Sequence, residues 1–271
     1  MLPLPWKTYA KCFKMGALSA MEYRVDFFIR LFSGALPIVI QCYLWTSIFR
    51  NSSSATVFDY TYSQMIAYSI LAILTSTVVA AGFEREIATD VKEGSLNKFI
   101  VQPISYFYFR VFKFLGDKSI RIAVLVVINA IVIAILHVTL DFQLMWQAVI
   151  GYLIVIPLSL LLNFSIYYCI SAISFWVIEA WGIFATFTLL AGIASGSMFP
   201  IDIFNAPVQR VLEWLPFQYV IYFPVNILSG KVSGISIMSG MSIQLIWLVV
   251  FLFVSKLLWQ AGMRRYEAVG G

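Results

Sequence analysis

From Phe142 to Ile178 the chain carries no formal charge, and this stretch limits what it can fold into more than any other feature. A bilayer's hydrocarbon layer takes about 20 apolar residues per helical span. The stretch is too long for one untilted span and too short for two with a turn. One helix over about 145–173 is expected, kinked at Pro157, whose ring removes a backbone donor and presses on the preceding turn. Further uncharged runs cover 31–49, 64–83, 122–140, 180–198 and 232–255, with Glu179 marking a tight turn between the fourth and fifth runs. Only 11% of the residues are charged and 61% are hydrophobic, whereas soluble domains carry about 25% charge. The fold class expected is therefore all-α: a single membrane domain over 1–271 with six transmembrane helices.

The net charge of +5 could suggest nucleic acid, but its distribution argues for a membrane instead. Of the 18 Lys and Arg, only Arg50, Arg210 and Lys231 fall on one side of the alternating spans, and the rest flank the other side. Lys and Arg accumulate in cytoplasmic flanks, so both termini are expected inside and no nucleic-acid partner is expected. Glu22, Asp26 and Arg30 precede the first long apolar run, which does not fit a cleavable signal peptide. Cys12, Cys42 and Cys169 are odd in number and fall inside or within spans, so no disulfide framework follows.

Three segments are not simple spans. In 1–24, Trp6, Ala10, Phe13, Ala17 and Met21 recur at helical spacing, with Lys7, Lys11 and Lys14 on another face. Such a pattern suits an interfacial helix lying among membrane lipids; the alternative is a frayed basic tail. In 84–121, the second helix is expected to run on through EREIATDVK to Gly94. Ser95 can cap a new short helix over 96–102, which Pro103 closes before a further helix over 105–118 leads back to the membrane. A short polar helix is thus held between two longer ones. In 200–234, an apolar string is interrupted by Pro207, Pro216 and Pro224. That suits a re-entrant hairpin from the outer face, acting as an outer gate; the alternative is an amphipathic helix lying flat.

Within the spans, Gln41, Asn129, Asn163 and Gln244 either line a substrate pathway or hydrogen-bond between helices. No GxxxxGK[ST] occurs, so the chain is not expected to hydrolyse ATP itself. His137 is the sole histidine, so no HExxH motif or His-rich metal site can form, and no catalytic or cofactor-binding residue stands out. An ion-coupled secondary transporter is the alternative class. It needs ionisable groups inside the membrane, and only His137, Asp141 and Glu179 come near, all at predicted span ends.

The six runs, the N-terminal helix, the stretch KEGSLNKFIVQPI followed by FRVFKFLGDK, and the proline-interrupted 200–234 segment together resemble the ABC-2 type permeases. These are membrane subunits of ATP-driven exporters, and the likeness extends to a bacterial branch in which two different permease chains pair. The resemblance implies that the short helix following Glu93, Gly94, Ser95 and Leu96, and continuing through Asn97, Lys98 and Phe99, is a coupling helix seated in a cleft of a separate ATPase. Leu96 and Phe99 would be its apolar anchors. It further implies a second permease chain, identical or different, ATP and Mg bound by the ATPase partner, and a bacterial cell membrane.

Overall fold

The computed structural model describes residues 6–22, 24–101, 104–140 and 145–266; among these the structure is helical, apart from one isolated bridge between Val57 and Tyr60. The helices are α1 (Trp6–Glu22), α2 (Arg24–Asn51), α3 (Tyr62–Val79), α4 (Glu84–Lys92), α5 (Asn97–Val101), α6 (Tyr106–Leu140), α7 (Trp146–Ser171), α8 (Trp181–Ala194), α9 (Ala206–Glu213), α10 (Tyr222–Leu228) and α11 (Ile235–Met263). Four helical stretches among the described residues are long and apolar enough to cross a membrane: Tyr62–Lys92, which joins α3 and α4, Tyr106–Ile135, Trp146–Phe175 and Ile235–Met263. Helix α2 has 28 residues, whereas α8 has only 14, about 21 Å at 1.5 Å per residue.

Contacts sort these elements to two ends. At the first, the knot end, named for the polar stretch 92–98, α4 and α5 meet the start of α6, the turn between α7 and α8, and the end of α11. At the other, the cap end, the last turns of α2 and the start of α3 meet the segment that follows α8. Short helices α9 and α10 and the start of α11 complete this end. Helix α10 lies over α7 and α3, with Phe223 through Leu228 all buried. The core is therefore built on α3, α7 and α10. On α2, α6 and α11, by contrast, Val39, Tyr43, Ile131, Ile135, Val249 and Phe253 are bare, as lipid-facing apolar surface would be.

Several expectations are corrected. The second helix does not run on unbroken, because α3 stops at Val79 and α4 begins at Glu84, with Gly82 at φ +83° between them. The break is chemically supported. Asn163 donates from Nδ2 to the Val79 carbonyl at 2.7 Å, and Lys118 from Nζ to the Thr77 carbonyl at 3.4 Å, satisfying acceptors that a helix end leaves open. The helix expected over 105–118 and the third span are instead one 35-residue helix, α6. Short helix α5 begins at Asn97, after Gly94 at φ +72°, and Gln102 and Pro103 lie outside the described residues. Pro157 lies inside α7, which continues past it to Ser171. The outer prolines do not interrupt one helix. Pro207 and Pro216 open helical turns, and Pro224 sits in the first turn of α10, where a missing N–H leaves no bond unmade.

Helix α1 packs along α6 through Tyr9, Cys12, Gly16 and Ala20. The two backbones cross at paired glycines: a Cβ on Gly16 would collide with the Lys113 carbonyl, and one on Gly116 with the Phe13 carbonyl. The stripe read from the sequence is a different face. Trp6 is 70% exposed and Met21 58%, and Lys7, Lys11 and Lys14 are exposed as well.

Candidate functional site

The knot is held by a charged brace. On α4, Glu86 and Asp90 are one turn apart, and on α6 Tyr106, Arg110 and Lys113 recur at the same spacing, so each set presents one face. Arg110 donates from Nη1 to Glu86 at 2.6 Å, from Nε to the Tyr106 hydroxyl at 2.8 Å, and from Nη2 to Asp90. The Tyr106 hydroxyl donates to Asp90 at 2.7 Å, and Lys113 donates to Glu86 at 2.8 Å. The Arg110 side chain is only 4% exposed. Two cations thus face two carboxylates, and the buried guanidinium has geometrically matched acceptors, which a desolvated charge requires.

Aromatic rings carry this brace into the bundle. Phe99 of α5 lies 4.9 Å from Tyr106 and from Phe109. Tyr106 stacks on Trp259 of α11 at 5.0 Å, and Trp259 stacks on Tyr168 of α7 at 5.1 Å. Leu96 is 2% exposed and belongs to the same core. Beside the tight turn at Gly94, Leu96 is buried inside the chain and Phe99 partly so. What the knot offers outward is Lys92, Glu93 and Lys98, with Gly94, Ser95 and Asn97 half-exposed. Lys92 bonds Glu179 at 2.6 Å, and this neighbouring ammonium holds the exposed carboxyl below its ordinary range.

The polar residues within the spans take structural partners. Gln41 donates to the Met198 carbonyl at 2.7 Å, joining α2 to the segment after α8. Gln244 donates to Ser159 Oγ at 2.8 Å and to the Tyr219 carbonyl at 3.0 Å, joining α11, α7 and the turn before α10. Asn163 serves the broken α3. The side chains of Asn129 and His137, and Asp141 as a whole, lie outside the described residues.

The cap end holds a second cluster, centred on Asp202. Its carboxylate accepts from Tyr60 at 2.7 Å, from Tyr222 at 2.8 and 3.0 Å, and from Lys231 at 3.1 Å. Burial, followed by the bond to Asp202, pushes the Tyr60 phenol up, so it remains a donor. Neither cluster was singled out from the sequence. The matched spacing of Glu86/Asp90 and Tyr106/Arg110 on helices flanking one loop was the available signal for the brace. Asp202, one of two acids in the apolar 200–234 segment, was the signal for the cap.

The described residues hold no group of three or more His, Cys, Asp or Glu that could bind a metal. A long-helix bundle with a short braced helix at one end is a membrane subunit's architecture, and comparison of the chain with family models decides which. Residues 35–270 match the model for ABC-2 family transporter proteins. The chain belongs to that family. Comparison with curated proteins gives no match. As an ABC-2 family member it is a multi-pass membrane permease of an ABC transporter, a class that generally works with separate ATPase subunits. The match takes in the knot, the brace and the Asp202 cluster, and leaves α1 and the start of α2 outside it.

Proposed function

We propose that this permease is half of an ATP-driven exporter and that a separate ATPase drives it through the knot. The carrying observation is the brace. Arg110 ties α4 to α6, and the Phe99–Tyr106–Trp259–Tyr168 stack ties α5 and α6 to α11 and α7. A push on the exposed Lys92–Lys98 surface therefore moves three long helices together, where a slack loop would absorb it. ATP and Mg are bound by the partner, and Glu93, Gly94, Ser95, Asn97 and Lys98 form the docking surface, with Leu96 and Phe99 fixing its position.

In this reading α2, α3, α6, α7, α8 and α11 are the six spans. The knot end is cytoplasmic in a bacterial cell membrane, because it carries most of the Lys and Arg. Helix α8 is short for the hydrocarbon layer, and α9 and α10 extend that layer's protein cover as the re-entrant outer hairpin. Helix α1 lies at the inner interface with its bare Trp6, Phe13 and Met21 in lipid. Pairing with a second permease chain covers part of the bare apolar surface, and the seam between the two halves is the export path.

Single cysteines test the reading. At Ser53 and Ser233 they react with an impermeant thiol reagent in intact cells, and at Ser95 they do not. Charge reversal at Lys92 and Lys98 lowers co-purification with the ATPase and ATP-driven transport while leaving the permease folded. Transport by the permease alone in liposomes, driven by a pH gradient, would overturn the assignment.

A further inference from the structure

At the cap end one ammonium is already caged. Lys231 Nζ sits 3.9 Å from the centroid of the Tyr60 ring, face-on, and 3.1 Å from Asp202 Oδ1. Tyr60 is 2% exposed and cannot turn away, and its hydroxyl is fixed on Asp202 Oδ2 at 2.7 Å. Tyr222 donates to the same Oδ2 at 2.8 Å and to Oδ1 at 3.0 Å. An aromatic face and a carboxylate held by two phenols are the elements by which proteins recognise amines.

Two further observations bear on what the cage can hold. The Lys231 and Asp202 side chains remain 35% and 27% exposed, so solutes reach them. The backbone beside the lysine is fixed, since Val232 N–H donates to the Asn226 carbonyl at 2.9 Å. The ammonium can therefore leave by rotation of its own four-carbon stem, with no change of fold. Beneath it, Asn226 lies one turn from Tyr222 on the same face of α10. Its side chain is fully buried and lies against the Tyr222 hydroxyl.

We propose that Tyr60, Asp202 and Tyr222 form an ammonium-binding site, that Lys231 is its resident occupant, and that an amine-bearing solute competes with Lys231 for it. The ligand class is a protonated aliphatic amine on a small apolar body. Only the sidedness of the site rests on the export reading, and its binding chemistry does not.

The test uses the purified full chain without any ATPase, so its outcome is independent of the coupling reading. Lys231→Ala empties the cage, and n-propylammonium, the fragment removed, is the probe. Saturable restoration of the thermal unfolding midpoint is expected, with no such effect from propan-1-ol or equal potassium chloride. Adding Asp202→Asn to Lys231→Ala is expected to weaken the probe's apparent affinity at least tenfold. In the unaltered chain, trimethylammonium keeps one N–H for Asp202 yet forms no stable acyl product. It is expected to accelerate acylation of Lys231 saturably, as read by peptide mass spectrometry. This second arm holds even where Lys231→Ala fails to fold. Probe binding that survives Asp202→Asn, or no saturable effect in either arm, would reduce Lys231–Asp202 to a structural tie. Acceleration absent from the unaltered chain would make the cage a private socket for Lys231 and would also overturn the proposal.

Discussion

The two ends of the permease use the same kinds of side chain to opposite effect. At the knot end, Arg110 is buried between Glu86, Asp90 and Tyr106, with little access to water. At the cap end, Lys231 reaches Asp202 from a glycine-flanked loop and stays a third exposed. An arginine's planar fork fixes several acceptors at once, whereas a lysine offers a point charge on a flexible stem. The first arrangement suits a part that must transmit force without deforming. The second suits a contact that opens.

The sharpest way to break this comparison is Arg110→Met. It leaves Asp90 without its cation while Glu86 keeps Lys113, and breaking a buried pair costs about 3–5 kcal/mol. Denaturant unfolding of the reconstituted chain reads that loss, and ATP-driven transport is expected to fall further than stability alone accounts for. If Arg110→Met retained full coupling, the brace would not be the transmitting part.

A middling effect is expected at the break between α3 and α4. Asn163→Leu keeps the branched shape but leaves the Val79 carbonyl without its donor, a loss of about 1–3 kcal/mol for a buried unsatisfied group. Hydrogen exchange is expected to rise locally around 78–83 while the cap end keeps its protection. Equal change at both ends would mean that the break does not separate them mechanically.

Smaller still is Tyr60→Phe. The ring that faces Lys231 remains and only the hydroxyl bond to Asp202 is lost, about 1 kcal/mol for one hydrogen bond. A shift in unfolding midpoint of a few degrees checks it.

The least effect belongs to the exposed Lys92–Glu179 bond. Because Lys92 depresses the Glu179 carboxyl, the tie is complete above the ordinary carboxylate range and is lost as pH falls through the lowered value. Spin labels at Ser95 and Gly182 would show the distance distribution broadening there, without global unfolding.

Much of the fold was legible because charge is costly in lipid. The uncharged runs locate the long helices, and Glu179 marks its turn two residues before the start of α8. The local breaks were not legible, because tertiary partners make them. Nothing near Ala80 tells a reader that Asn163, far along the chain, stands ready to receive a helix end. Leu96 was read for its apolar character alone, and whether such a residue faces a partner or its own core depends on the path set by Gly94. Gln41 and Gln244 were legible as polar groups needing a bond, but the backbone carbonyls they reach are ones that no local pattern reveals.

The glycine crossing of α1 on α6 also sets a timetable. About a hundred residues separate Gly16 from Gly116, and chains are made at roughly 5–20 residues per second. For roughly 5–20 s after its synthesis, α1 exists without the surface it will finally grip. Its Tyr9, Cys12, Gly16 and Ala20 face is then unclaimed, and so is its bare Trp6, Phe13 and Met21 stripe. The membrane surface is the only place nearby that suits both. Helix α1 therefore waits for α6 before it finds its seat, and anything that occupies its small-residue face in the interval competes with assembly.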